Sequence, residues 1–319
     1  VLHDGFLLSR VESYEDMQDE FAGSLYDTQI SPLFNDLLNT PKDDRAAKYK
    51  GDDKWFSKVP YLNGGLFHDS VDDEGKYRVQ DRILPTVIKY LIEGSALDMA
   101  NEDGLDPAIV GSVFEKTINY LEQERSQKDI GAYYTPTDVT ALITKQTVDP
   151  KLKDELLQVY GDAVSIDSEE FIASNEEKEL EKILRDIEDG AGWFGDPDAT
   201  REALDRLNEL TVLDPACGSG HFLTTALDEL HRVQLTLLKG LHGDDLQRKK
   251  IFEENKKLAL NSIYGVDIEP VGVEITKLRI WLKIIENGWQ DGFGKLPNID
   301  VNISAGNSLT GLPVTGPRT

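Results

Sequence analysis

The sequence predicts an α/β fold, with a doubly wound parallel sheet following a mainly helical region. Two observations carry this. After residue 210, short apolar runs alternate with long helical periodicities: TVLD (211–214), HFLTTALDELHRVQLTLL, NSIYGVDI (261–268), EPVGVEITKLRIWLKIIENG and NIDVNIS (298–304). Strands spaced by single helices of this length form parallel sheets, because each crossover needs a helix to return to the same edge. Before residue 210 the apolar positions recur at helical spacing and no such alternation is seen.

Residues 1–60 are polar, with apolar positions scattered through EFAGSLYDTQISPLFNDLL, and predict helices with irregular connections. In YLNGGLF (61–67), Asn63-Gly64 between apolar flanks is a turn signal, and read alone it is a turn rather than a site. Residues 81–100 and 106–124 have helical periodicity; in the second, Ile109, Val113, Ile118 and Leu121 share a face and Pro107 suits a first helical turn. In GAYYTPTD, Gly131 breaks the pattern and a new helix is expected, with Thr135 as N-cap, Pro136 as first helical residue and Asp138 as reciprocal cap partner. The strongly charged stretch 150–208 predicts exposed helices on either side of a loop at GAGWFGDPD, and 167–190 reads as a solvated helix. The expected division is a mainly helical region over 1–125 and a ligand-binding region over 126–319. There is no internal repeat.

Asp and Glu number 59 against 34 Lys and Arg, a net charge of −25. A surface that holds DNA should be basic. Two explanations fit: a densely acidic surface adapted to high salt, which we favour, or, for a protein that engages DNA, a basic contacting surface in sequence beyond these residues. No apolar run approaches the roughly 20 residues of a membrane span, and the start VLHDGFLLSR lacks the basic cluster and apolar core of a signal peptide. Cys217 is the single cysteine, and the five histidines show no paired ligand spacing, so neither a disulfide nor a metal cluster is expected. A cytoplasmic protein that engages no membrane is the expectation, and the assembly state is left open. The first residue is Val1, consistent with a piece of a longer protein.

In sheets of this kind a ligand sits at the carboxyl ends of the strands. DPACGSG (214–220) occupies the end of the first strand, where Asp214 can accept hydrogen bonds and Gly218 and Gly220 let backbone pass close to a ligand. The loop lacks the third glycine of a dinucleotide fingerprint and the Lys-Ser/Thr of a P-loop, which disfavours nicotinamide and nucleoside-triphosphate sites. The second strand ends in Asp267, whose carboxylate can accept from both hydroxyls of a ribose; Ile268 beside it can pack on an adenine ring. After the third strand, Asn307 in GNSL offers the donor and acceptor that an adenine edge matches. A glycine loop, a ribose acid and an adenine reader together imply an adenosine compound without phosphates.

These motifs resemble those of a known family. DPACGSGHFL, YGVDI and GNSL are similar to the cofactor motifs of amino-methyltransferases acting on DNA, and GAYYTP to the additional motif that precedes their cofactor loop; that order is the gamma-class arrangement. YLNGGLF and IVGSVFEKTINYLE resemble segments upstream of the methylase in fused type II (type IIG-like) restriction–methylases and phage-resistance methylases. The resemblance covers about residues 60–148 and 205–311. It implies a Rossmann-like methyltransferase fold, S-adenosylmethionine as cofactor, the exocyclic amino group of adenine as target and double-stranded DNA as partner. Carried over by position, Asp214, Ala216, Gly218 and Gly220 surround the methionine part, Asp267 binds the ribose, Ile268 and Asn307 hold the adenine, and Tyr134, Thr135 and Pro136 close the methionine end. A helix N-terminus at Thr135 suits the last role, since free N–H groups and the positive dipole end attract a carboxylate.

The family's catalytic motif, Asn/Asp/Ser-Pro-Pro-Tyr/Phe, would follow GNSL, and the sequence has no Pro-Pro pair. That motif accepts from the target amino group and stacks on the flipped base. No catalytic residue is therefore expected in this chain, the sheet is expected to be incomplete, and cofactor binding without turnover is the reading. A methyltransferase acting on RNA or protein shares the loop but not the upstream segments; a cofactor-sensing or scaffold module of a defence complex is the non-enzymatic alternative. Cys217 reads as structural, His221 as a helix-start residue, Tyr133 as core or DNA-facing, and Trp281 with Leu278, Leu282 and Ile285 as helix packing.

Overall fold

A computed structural model describes residues 6–16, 23–46, 59, 61, 80–93, 135, 137–164, 168–286 and 297–313. The chain forms two units: Val1–Ile109 with Gly294–Asn298, and Val110–Phe293 with Ile299–Thr319.

The first unit contains α1 (Phe6–Asp16), wide π-helical turns at Tyr26–Ile30 and Pro32–Leu38, and α2 (Leu84–Glu93). Asp81 holds it together by bridging distant chain: its carboxylate accepts from the Leu25 N–H at 2.8 Å and the Tyr14 hydroxyl at 3.0 Å. Arg45 is buried and donates to the carbonyls of Leu37 (2.8 Å) and Val59 (3.0 Å), so its charge is solvated by backbone. The expectation of helices with irregular connections over 1–60 fits the described part. Asn63-Gly64 and the periodic stretch 106–124 lie outside the described residues.

The second unit carries the sheet. Its helices are α3 (Thr137–Ala163), α4 (Ser168–Asn175), α5 (Leu180–Glu188), α6 (Pro197–Leu207), α7 (His221–His242), α8 (Arg248–Ser262) and α9 (Pro270–Glu286). Strands β1 (Val212–Asp214), β2 (Ile263–Asp267) and β3 (Ile303–Asn307) run parallel in the order β1-β2-β3, and β4 (Leu312–Pro313) pairs antiparallel with β3. Register sets Asp214 opposite Gly265 and Asp267 opposite Ala305, which gathers the carboxyl ends of the three parallel strands at one edge. The predicted α/β class with a parallel sheet is what forms.

Two local expectations are corrected. The third strand begins at Ile303, because residues 299–302 turn: the N–H groups of Asn302 and Ile303 both donate to the Ile299 carbonyl at 3.0 Å. Asn302 then clamps this turn to β2, its amide donating to the carbonyls of Leu260 (2.7 Å) and Ile263 (3.0 Å). The 150–208 stretch is not simply exposed. In α5 the charged positions face water while Leu180, Ile183, Leu184 and Ile187 are buried, and Phe194 of the intervening loop packs edge-on against Tyr160 at 5.1 Å. Helix α3 runs through Pro150. Proline removes one helical hydrogen bond and clashes with the preceding turn; burial of Leu152, Leu156, Leu157, Val159 and Tyr160 beyond it offsets that cost.

Just before the proline, Asp149 is buried, and desolvation, with Glu229 on α7 as a second cause, pushes its carboxyl up to about 6. A raised carboxyl binds its proton more tightly folded than unfolded. Ionising Asp149 therefore subtracts stability as pH rises from about 3.8 to about 6, and the loss persists above that. Asp149→Asn is expected to stabilise the fold by about 1–2 kcal/mol at pH 8 and to leave it unchanged near pH 4. Thermal melts of both proteins at the two pH values check this.

Candidate cofactor-binding site

The loop between β1 and α7 is held from three sides. From β2, the Val266 carbonyl accepts from the Cys217 N–H at 3.0 Å, and the Asp267 carboxylate accepts from the Gly218 N–H at 2.8 Å. From the end of β3, the Ser308 hydroxyl donates to the Pro215 carbonyl. From α9, the Thr276 hydroxyl donates to the Gly218 carbonyl at 2.9 Å, and the Arg279 guanidinium donates to the Ser219 carbonyl at 3.0 Å. The α9 contacts fall at Gly272, Thr276 and Arg279, which at i, i+4 and i+7 form one stripe of the helix. A Cβ at Gly272 would come within 2.8 Å of the Gly218 carbonyl oxygen, so helix and loop touch backbone to backbone.

Gly220 (φ 78°) takes the left-handed conformation that lets the loop turn into α7, with Thr276 directly behind it. Gly218 (φ 53°) differs, because a Cβ there would meet open space. Its bare backbone lies on the wall of a cleft of about 340 Å³, which Thr135, Thr140, Asp214, Ala216, Ser219 and His221 also line.

Asp214 closes the β1 end: its carboxylate accepts from the Ala216 N–H at 3.0 Å. Burial pushes its carboxyl up, the Ala216 N–H opposes this, and nearby Asp267 adds to it. The Asp267 carboxylate also accepts from the Glu269 N–H at 2.8 Å, which fixes its plane. Ile268 is 43% exposed at the strand end. The Asn307 carboxamide oxygen accepts from the N–H groups of Leu309 (3.0 Å) and Thr310 (3.2 Å), capping the turn into β4, a use of this acceptor that the sequence reading did not foresee.

Of the residues expected at the site, Thr135, Asp214, Ala216 and Gly218 line the cleft. Asp267 is joined to it through Gly218, and Gly220 supports it from behind. Ile268 and Asn307 sit at the neighbouring strand ends. Tyr134 and Pro136 lie outside the described residues, as does Tyr133. The helix expected to start at Pro136 is described from Thr137, with Asp138 in its first turn. Sequence reasoning missed Thr140 and Ile143 on the cleft wall, a helical turn beyond the motif that led to Thr135, and it missed the Gly272–Thr276–Arg279 stripe.

Cys217 is buried, and burial followed by the charges of Asp267 and Asp214 pushes its thiol up to about 12. A thiol so raised has almost no nucleophilic thiolate at neutral pH. Native protein is expected to resist iodoacetamide at pH 7.5 and to react at Cys217 once unfolded in urea, as mass spectrometry of the labelled peptide would show.

A parallel sheet with a glycine loop turned over two strand-end acids places the chain among known proteins. Residues 194–291 match the family described as MmeI, DNA-methyltransferase domain. A putative type II restriction enzyme and methyltransferase of Methanocaldococcus jannaschii is 36% identical over 297 residues, 90% of this chain and 24% of that protein. DNA methyltransferase A of Bacillus subtilis is 24% identical over 80% of this chain and 23% of that protein. The adenine-specific methyltransferase PglX of Streptomyces coelicolor is 38% identical over 72 residues, 23% of this chain. The solved structure of the type IIL restriction-modification enzyme MmeI in complex with DNA superposes with a TM-score of 0.58 at 21% identity, over 94% of this chain and 34% of MmeI, which shows a shared fold. The match to the MmeI methyltransferase domain meets the resemblance to restriction–modification methyltransferases read from the motifs. This chain spans about a quarter of the length of the first two relatives. Among the described residues no helix is long and apolar enough to cross a membrane.

Proposed function

We propose that this chain is the S-adenosylmethionine-binding part of an adenine-specific DNA methyltransferase of a restriction–modification or phage-defence system. The observation that supports the reading is the hydrogen bond from the Gly218 N–H to Asp267, which sets a carboxylate suited to ribose hydroxyls beside bare glycine backbone at one edge of the sheet. The donor set fits the cofactor. Open space at Gly218 admits its chain, Asp214 and Asp267 favour its cationic groups and hydroxyls, and Ile268 offers an apolar surface to the adenine.

When bound, the cofactor supplies an electrophilic methyl group on a sulfonium. The chain's own part is to bind and orient: Asp214, Ala216 and Gly218 at the methionine part with Gly220 shaping the loop, Asp267 at the ribose, Ile268 and Asn307 at the adenine, and Tyr134, Thr135 and Pro136 at the methionine end. The side-chain N–H₂ of Asn307 is the group assigned to the adenine edge, since its oxygen caps the turn. These 319 residues hold no Pro-Pro pair, so cofactor capture without turnover is proposed for them, and methylation of the adenine amino group for the whole protein. Double-stranded DNA is the proposed partner of the whole protein. With a net charge of −25 here, we assign the DNA contact to its other parts and the acidic surface to a high-salt, cytoplasmic setting.

Calorimetry of S-adenosylmethionine and S-adenosylhomocysteine against the chain, in low and in molar salt, tests the reading. Saturable binding of one molecule per chain is expected. No binding in either salt condition would overturn it.

A further inference from the structure

We propose that Thr276 is a positioning residue for the ribose end of the site: its hydroxyl pins Gly218, and Gly218 in turn orients the Asp267 carboxylate assigned to the ribose hydroxyls. The inference rests on the cofactor reading above. Gly218 meets two demands that conflict. A Cβ there would stand in open space, so bare backbone is what the cleft wall presents. Glycine is also the residue whose backbone is least restricted by its own sterics. Its neighbours must therefore supply the restriction, and they grip it on both sides. The Gly218 N–H donates to Asp267 Oδ2 at 2.8 Å, and the Gly218 carbonyl accepts from the Thr276 hydroxyl at 2.9 Å.

A helical threonine commonly turns its hydroxyl back to a carbonyl of its own helix. The hydroxyl of Thr276 crosses to the loop instead, and the residue is fully buried, so water does not compete for the bond. Gly272, one turn earlier on α9, lets the helix come this close, since a Cβ there would lie 2.8 Å from the same carbonyl oxygen. The effect reaches Asp267 through Gly218. Asp267 Oδ1 accepts from the Glu269 N–H at 2.8 Å, a donor two residues along its own chain, while Oδ2 is tied to the loop by Gly218. One fixed donor on each oxygen sets the plane of the carboxylate. A carboxylate that accepts from both hydroxyls of a ribose needs its two oxygens held in such a plane, whereas one that accepts from a single hydroxyl tolerates rotation. Loss of the Thr276 hydroxyl frees Gly218 and, with it, that plane.

Two measurements test this. The first follows amide exchange of the ligand-free chain by NMR. In the wild type and in Thr276→Ser the Gly218 N–H should exchange at least about tenfold more slowly than in unfolded chain, and in Thr276→Val that protection should be lost. A wild-type Gly218 N–H protected less than this overturns the proposal, whether or not the valine variant folds.

The second compares S-adenosylhomocysteine with its 2′-deoxyribose analogue, after circular dichroism has shown each variant to be folded. The wild type should prefer the ribose form by about tenfold to a hundredfold. Thr276→Val, which keeps the shape but not the hydroxyl, should reduce that preference to within about threefold. Thr276→Ser, which restores the hydroxyl, should keep it within about twofold of the wild-type value. A purely structural role for Thr276 would weaken both ligands alike and leave the ratio unchanged. An unchanged ratio in Thr276→Val, or a lost one in Thr276→Ser, sinks the inference while the cofactor reading stands. A wild-type chain that binds neither compound overturns both.

Discussion

Gly220→Ala is expected to destabilise the second unit by about 3 kcal/mol and to lower its melting temperature by roughly 6–12 °C. Two costs add. At φ 78° an L-residue pays about 1–2 kcal/mol for the left-handed conformation. A Cβ at this position would also stand 2.6 Å from Thr276 Cγ2 and 2.8 Å from Thr276 Oγ1. Thr276 is fully buried and tied to the Gly218 carbonyl, so it cannot swing aside without giving up that bond. Gly218→Ala separates the terms: its φ of 53° carries the same conformational cost, but nothing lies within 4 Å of the added carbon. It should cost about 1–2 kcal/mol. Adding Thr276→Ser to Gly220→Ala removes the 2.6 Å contact and should recover part of the loss. Equal melting temperatures for the two alanine variants would show that the contact with Thr276 contributes nothing.

Asp267→Ala is expected to reduce affinity for S-adenosylhomocysteine by a hundredfold or more, about 3 kcal/mol. The carboxylate is proposed to accept from ribose hydroxyls, and it already accepts from the N–H groups of Gly218 and Glu269. Removing it strips the ligand contact and leaves two strand-end donors without this acceptor. Asp267→Asn should fall close to alanine, because its amide N–H₂ would face one of those donors. Circular dichroism melts would separate lost binding from lost folding. A titration of Asp267→Ala within threefold of the wild type would remove the ribose role from this residue.

The strands that could be read directly were those where an apolar run ends in an acid, Val212–Asp214 and Ile263–Asp267. The third was displaced, because NIDV looks extended but its Ile299 carbonyl accepts from the N–H groups of Asn302 and Ile303, closing a turn that leaves Val301 87% exposed. Strand β4 has two residues and is defined by its pairing with β3, which no local pattern announces. Helix α3 crosses a proline because of the packing that follows it, a tertiary effect. The candidate residues on the loop and strand ends stand out in the sequence because glycine and aspartate there answer a local need of the backbone. The stripe on α9 was not. Gly272, Thr276 and Arg279 look like interruptions in an apolar helix, whose packing pattern singles out Trp281, which is buried, with Leu278, Leu282 and Ile285 only partly so. A glycine, a threonine and an arginine at i, i+4 and i+7 are a readable signal when the question is what backbone a helix must approach.

That stripe has a consequence for anyone recombining such proteins. Loop 215–221 and the 272–279 face of α9 are separated by some fifty residues of chain, yet they share a backbone contact, a hydroxyl bond and a guanidinium. They should behave as one inherited module. A chimaera that imports the loop from a relative while keeping the resident helix mismatches a glycine with a side chain or an arginine with an apolar stub. Crossover points placed before residue 212 or after residue 286 keep the two halves matched.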